Sequence, residues 1–304
     1  MTEYSPVEPR RLPEPMAMLL LLKPITWFPP MWAFLCGIVS SGASLSGHWG
    51  LIVLGLILAG PIVCGMSQAA NDWCDRHVDA INEPDRPIPS GRIPGRWGLR
   101  IALAMSALSL LAGYQLGSWG FTATVFGVLA AWAYSAESLR LKTSGWWGPG
   151  LVGLCYEGLP WFTGAAVLSA GAPDWRIILL AGLYALGAHG IMTLNDFKAT
   201  EGDRQLGINS LPVTLGSDRA ARLACWIMGV PQGIIIALLI FWDRPVFAGI
   251  IAALLAAQFW AMRVMLTDPK ARAPWYNATG VSMYVSEASR RRYSYRGSEA
   301  CRHL

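Results

Sequence analysis

"GLIVLGLILAGPIVCGMSQAANDWCDRHVDA", residues 50–80, decides the fold. Residues 50–70 carry no charged side chain, whereas 71–80 hold three aspartates and an arginine. A helix of ~20 apolar residues crosses ~30 Å of hydrocarbon, so the first part reads as a bilayer crossing. The second part places a dense acidic patch at its aqueous end.

The rest of the chain has the same character. Of 304 residues, 54% are hydrophobic and 14% charged, which excludes an ordinary soluble domain. Eight apolar segments stand out: 16–41, 50–70, 99–117, 119–136, 149–169, 177–194, 222–241 and 246–266. They are continuously apolar rather than alternating, which excludes a β-barrel. The fold class is all-α, a polytopic helical membrane protein whose first segment is a retained helix rather than a cleaved signal. With the N-terminus in the cytoplasm, fourteen basic residues flank the loops on that side and only Arg176 and Arg244 the other, a strong positive-inside bias. The net charge of +5 suits an anionic lipid surface. Its scatter over membrane loops excludes nucleic-acid binding. Six cysteines form no C-x-x-C pair, which points away from a disulfide framework or a thiolate metal site.

The acidic patch recurs. "NDFKATEGDR" opens at Asn195, again directly after an apolar run, so the two halves read as an old duplication. In a helix Asp72, Asp75 and Asp79 share one face, with Asn71 at its edge. Asp196 and Asp203 likewise lie two turns apart, with Glu201 beside them. So many carboxylates facing one cavity repel each other and need cations. Carboxylate and amide oxygens without clustered histidine or thiolate select a hard ion, Mg²⁺ above all, which binds one or two carboxylates together with phosphate oxygens. Arg76, Arg86, Lys142, Lys198 and Arg204 stand nearby to clamp the remaining phosphate charge. A single aspartate beside an arginine reads as a solvated ion pair; two matching Asn-Asp clusters at helix ends do not.

These motifs resemble those of the UbiA superfamily of intramembrane prenyltransferases. Asn71, Asp75 and Asp79 match its first Asn-x3-Asp-x3-Asp motif, and Asp72 its common extra acid. "KATEGD" keeps Lys198, Glu201, Gly202 and Asp203 of the second motif but has Ala199 where an aspartate is usual. That departure is similar to the chlorophyll-synthase branch, with Asp196 supplying the missing charge. "KPITWFPPMWAFLCG", "WAYSAESLRLKTSGWWGPG" and "YEGLPWFTGAA" narrow the resemblance to the bacteriochlorophyll a synthases of purple bacteria. It extends over residues 12–285.

The resemblance implies a UbiA-like bundle that esterifies the propionate of bacteriochlorophyllide a with geranylgeranyl or phytyl diphosphate, using Mg²⁺. It implies residence in the cell inner membrane, in the photosynthetic intracytoplasmic membrane, with the active-site loops cytoplasmic. Pigment-assembly proteins or a geranylgeranyl reductase are the implied partners beside the lipid bilayer. Asn71, Asp72, Asp75, Asp79, Asp196 and Asp203 are then the catalytic and metal residues, and Arg76, Arg86, Lys142, Lys198 and Arg204 the diphosphate contacts. Within the superfamily, 4-hydroxybenzoate or haem is the alternative acceptor; outside it, a cation-coupled transporter would use paired acids differently.

Three further residues have two readings each. His189 is an axial ligand for the pigment's central Mg or a hydrogen-bonded core histidine. Glu157, an ionisable residue inside a span, orients substrate or joins a helix-packing pair. Lys23 snorkels to the interface or touches substrate. Family members have nine spans and this chain supplies eight. The ninth should begin near Trp275, yet its apolar run ends after Val285 and "SEASRRRYSYRGSEACRHL" follows. The expected division is a membrane domain over 1–285 and a basic, disordered tail over 286–304, with a frame change near Ser286.

Overall fold

The computed structural model describes residues 12–169 and 171–288. All eight apolar segments form helices, and among the described residues there is no strand beyond an isolated bridge between Ser144 and Asn209. Helices α1 (Pro15–Leu22) and α2 (Phe28–Ser40) flank a 3₁₀ turn and form one segment bent by 52°. Helix α3 (Trp49–Ile57) runs through a π-helical stretch, Leu58–Cys64, into α4 (Gly65–Asn82), a continuous 34-residue span. Then come α5 (Trp97–Tyr114) and α6 (Gly117–Ser135). Helix α7 (Trp147–Gly153) passes through a second π-helical stretch, Leu154–Gly158, into α8 (Leu159–Leu168). Helix α9 (Trp175–Asn195) leads by a 3₁₀ turn, Asp196–Lys198, to the short α10 (Thr200–Gln205) and α11 (Leu211–Leu215). Helices α12 (Ser217–Phe241), α13 (Pro245–Met265) and α14 (Pro269–Ala288) complete the bundle.

Six of these spans are long and apolar enough to cross a membrane by themselves, and the bent α1–α2 pair makes a seventh. Proline explains both π-helical stretches, because a ring nitrogen cannot donate to the carbonyl four residues earlier. Pro61 lies inside the first stretch, and Pro160 follows the second. The two stretches face each other across the bundle interior, where Cys64 Sγ lies 3.4 Å from the Tyr156 hydroxyl.

Small residues let the helix backbones touch. A Cβ at Gly37 of α2 would meet the Trp161 carbonyl oxygen of α8 at 2.0 Å, and one at Gly164 of α8 would meet the Phe34 carbonyl oxygen of α2 at 2.1 Å. Fully buried Trp161 donates to Ser40 Oγ at 3.1 Å and stacks on Tyr184 of α9. Gln232 of α12 and Gln258 of α13 exchange side-chain hydrogen bonds of 3.2 and 3.1 Å. Outward positions such as Leu111, Phe126, Trp226 and Phe241 are exposed, the surface expected against lipid.

The last helix differs from the sequence expectation. It starts at Pro269, six residues before Trp275, and runs to Ala288 rather than ending near Val285. Pro269 sets the first turn. Tertiary contacts with α13 and α9 supply what the short apolar run lacks, including a 2.6 Å hydrogen bond from the Tyr284 hydroxyl to the Tyr184 carbonyl. Residues 289–304, and with them most of the expected basic tail, lie outside the described residues.

Candidate active site

A cavity of about 790 Å³ lies between α2, α4, α6, the π-helical part of α7–α8, and α9. Its wall is mainly apolar, with alanine, valine, leucine, isoleucine, glycine, proline, cysteine and methionine together outnumbering the polar side chains. Polar side chains enter it at few points, among them Gln68, Asn71, Tyr134, Glu157, Asn195 and Asn277. The asparagine that opens each acidic motif is therefore on the same cavity wall. The two acidic motifs open onto one cavity.

Helix α4 continues past Asn71 to Asn82. Its 34-residue span measures about 50 Å at ~1.5 Å per residue, more than the ~30 Å of hydrocarbon. The excess carries the carboxylates. Asp72 is 1% exposed; its Oδ1 accepts from Lys23 Nζ at 2.8 Å and faces Arg86 Nη1 at 3.5 Å, while its buried Oδ2 has no hydrogen-bond partner among the described residues. Arg86 also donates to Asp79 at 2.8 Å and to Glu83. Asp75 turns to Lys142, with Arg140 Nη2 at 3.5 Å. Burial alone would push the Arg86 guanidinium down, but the Glu83 hydrogen bond and the Asp72 and Asp79 carboxylates outweigh it and hold it above its ordinary value.

The shared helical face expected for the three aspartates is thus divided between two pairs of cations, Lys23 and Arg86 at Asp72 and Asp79, and Lys142 and Arg140 at Asp75. Among the described residues, no three carboxylate, histidine or cysteine side chains gather as one metal cluster. The second motif is also divided. The helix breaks at Ala199, so Asp196 sits in a 3₁₀ turn and Asp203 in α10, not on one continuous face. Asp203 accepts from Ser210 Oγ at 2.7 Å; burial raises its carboxyl above the usual range and the Ser210 bond partly offsets this. Tyr134 lines the same cavity wall as Asn71 and Asn195, so both motifs start from one opening.

Two loops close over that opening. Gly145 N–H donates to the Asn209 carbonyl and Asn209 N–H to the Thr143 carbonyl, each at 2.9 Å. This pairing holds Lys142 beside the first motif. A Cβ at residue 145 would lie 2.6 Å from Leu211 N and 2.8 Å from Asn209 O, so only glycine permits it.

The remaining candidates are placed as follows. Arg76 folds over Trp73, 4.2 Å from its ring, and donates to the Trp73 carbonyl. Arg204 pairs with Glu201 at 3.2 Å in an exposed ion pair, and Lys198 is exposed beside Asp196. His189 is buried off the cavity wall; its Nε2 donates to the Trp146 carbonyl at 3.2 Å, the arrangement of a core histidine. Glu157 is buried on the cavity wall. Lys23 does not snorkel but reaches inward to Asp72. Two contributors escaped the sequence: the Lys23–Asp72 pair, and Asn277 of α14, which donates to Asn195 Oδ1 at 2.7 Å.

A family model described as the UbiA prenyltransferase family matches residues 23–286. The chain belongs to the UbiA prenyltransferase family. As a member it is an integral membrane prenyltransferase. It is 67% identical over 293 residues to the bacteriochlorophyll synthase 33 kDa chain of Cereibacter sphaeroides, covering 96% of this chain and 97% of that one. It is 65% identical to the protein of the same description from Rhodobacter capsulatus, covering 95% and 96%. Its fold matches the structure of a UbiA homolog from Archaeoglobus fulgidus bound to GPP and Mg²⁺, with a TM-score of 0.68, 20% identity, and coverage of 90% of this chain and 99% of the other. In this UbiA member the donors around the opening are carboxylate and amide oxygens, and one buried carboxylate oxygen, Asp72 Oδ2, lacks a partner. That donor set fits a hard divalent cation.

Proposed function

We propose that this chain transfers a C20 prenyl group, geranylgeranyl or phytyl, from its diphosphate to the propionate carboxylate of bacteriochlorophyllide a. The observation that carries the reading is the position of Asn71 and Asn195 on one apolar cavity wall, with the motif carboxylates following each asparagine and Lys142 bound to Asp75. The names and near-complete overlap of the C. sphaeroides and R. capsulatus relatives support the pigment acceptor.

In the reaction, the C1–O bond of the allylic diphosphate breaks and its electron pair leaves on the diphosphate. A propionate oxygen then bonds C1, giving the ester. The acceptor is already an anion at neutral pH, so no strong general base is required. Asn71, Asp72, Asp75, Asp79, Asp196 and Asp203 would hold Mg²⁺, which neutralises the departing diphosphate charge. Lys142 and Arg86 add positive charge at the same opening, and Lys198, Arg204 and Arg76 ring it more loosely. The apolar wall houses the C20 chain and keeps water from the allylic cation. In this reading the motif end faces the cytoplasm from the inner membrane, with pigment-assembly proteins or geranylgeranyl reductase as lateral neighbours.

The test is turnover in isolated membranes given bacteriochlorophyllide a, geranylgeranyl diphosphate and Mg²⁺, beside an Asp75→Ala variant and an EDTA control. Esterified pigment that disappears in both controls is the expected result. Prenylation of 4-hydroxybenzoate in its place would overturn the acceptor, and undiminished activity in Asp75→Ala would overturn the metal site.

A further inference from the structure

Glu157 is the chemically anomalous side chain of the cavity. It lies in the π-helical stretch Leu154–Gly158, is 7% exposed, and lines the cavity wall. No hydrogen bond or ion pair joins its carboxyl to any other described residue. The adjacent Tyr156 is satisfied differently: Gln68 Nε2 donates to its hydroxyl at 3.3 Å and Cys64 Sγ lies 3.4 Å away. A helix-packing role needs a partner on a neighbouring helix, and the structure offers none.

The Cys64–Tyr156 contact also gives the depth. Asn71 is seven residues along the same continuous helix from Cys64, about 10 Å toward the motif end. Gln68, which also bonds the Tyr156 hydroxyl, is three residues from Asn71, so the π-helical stretch that carries Glu157 meets α4 about 5–10 Å from Asn71 along the helix. A prenyl chain passing at that depth is pure hydrocarbon and has nothing to pair with a carboxyl. Leaving such a group unpaired in apolar surroundings is costly, whereas a carboxylic acid offers both an O–H donor and a carbonyl acceptor to a polar ligand. Helices interrupted by π-helical turns often carry functional side chains, and here the interruption puts the single carboxyl of the inner wall on the cavity surface.

Under the reaction proposed above, on which this inference rests, the acceptor's propionate must lie beside the diphosphate at Asn71 and Asn195. A flat, rigid macrocycle anchored there carries the carbonyl on its far edge, opposite the propionate, away from the opening. We infer that Glu157 is a specificity-determining residue that hydrogen-bonds a ring carbonyl of the macrocyclic acceptor at the inner end of the cavity. The bond selects the acceptor and leaves the diphosphate chemistry untouched.

The experiment compares the full-length wild type with Glu157→Gln and Glu157→Leu in isolated membranes, measuring KM for bacteriochlorophyllide a and for geranylgeranyl diphosphate separately. Glu157→Leu is expected to raise the acceptor KM by about tenfold, the worth of one buried hydrogen bond, with the diphosphate KM and kcat nearly unchanged. Glu157→Gln keeps a donor and is expected to hold the acceptor KM within about threefold. A second acceptor, in which one ring carbonyl is replaced by an apolar group of similar size, reads the contact directly. Wild type should disfavour it by about tenfold and the Leu variant should not distinguish the two. An unchanged acceptor KM in the Leu variant, an equal rise in both KM values, or discrimination that survives in it would overturn the assignment. If the Leu variant does not accumulate, Glu157→Met serves in its place. Loss of all pigment esterification in the wild type would refute the proposed reaction; a normal wild type with an unaffected Leu variant would refute only the role of Glu157.

Discussion

Asn277 donates its side-chain amide to Oδ1 of Asn195 at 2.7 Å, so the last helix holds the residue that opens the second acidic motif. Removing the donor leaves Asn195 free to turn away from the cavity. Asn277→Ala is expected to lower turnover by about tenfold, the scale of one lost hydrogen bond, with helix content unchanged by circular dichroism. Turnover equal to wild type would remove α14 from the active site.

Lys142 and Arg204 were equivalent candidates by charge but differ in setting. The Lys142 side chain is 11% exposed and bound to Asp75; that of Arg204 is 61% exposed and bound to an exposed glutamate. Desolvated charges aimed at a developing anion matter far more than solvated ones. Lys142→Met should cut kcat/KM for the prenyl diphosphate by about a hundredfold or more, and Arg204→Met by less than about threefold. Comparable losses in the two would show that the loop pairing does not aim Lys142 at the substrate.

The Lys23–Asp72 pair is buried on the carboxylate side, and Asp72 already has one oxygen without a partner. Taking the cation away leaves the buried carboxylate with only the longer Arg86 contact at 3.5 Å, at a cost on the order of 1–3 kcal/mol. Lys23→Met should lower the detergent-solubilised melting temperature by several degrees, and Lys23→Met with Asp72→Leu should recover much of it. The double variant is expected to stay inactive, because Asp72 is proposed as a metal ligand. A melting temperature insensitive to Lys23→Met would mean that the pair contributes nothing to holding α1 on α4.

Gly145 sits where the two loops over the opening meet, and its missing side chain is what lets them pair. Gly145→Ala should part them, lowering turnover and speeding protease cleavage within 140–146 and 206–211. Gly233→Ala is the matched control, since a Cβ there meets nothing within 4 Å, and it should behave as wild type.

Much of the site was readable because it is local. Continuous apolar runs specify helices, and the spacing of Asn71, Asp75 and Asp79 needs only a helical turn to become a patch. What was not readable depends on chain distant in sequence. Arg86 and Lys142 divide the patch because the loops after α4 and α6 fold back over it. Lys23 turns inward because α1 packs on α4 through Ala17, Leu21, Ala69 and Ala70. Helix α14 extends beyond its own apolar run because α9 and α13 support it, and no periodicity within residues 269–288 records that support. The break at Ala199 misled for the opposite reason: a seven-residue spacing was read as two helical turns where the chain makes a 3₁₀ turn and starts again.

The unbroken helix from Trp49 to Asn82 has a mechanical consequence. Its apolar part settles at a depth set by the surrounding hydrocarbon, and the carboxylates ride rigidly on its far end. Lipid acyl length therefore becomes a gauge for the active site: a thicker bilayer draws Asp72, Asp75 and Asp79 toward the headgroups, and a thinner one lifts them clear. In the proposed reaction the two reactants meet where these carboxylates stand, and the height of that meeting point is built into the length of one helix.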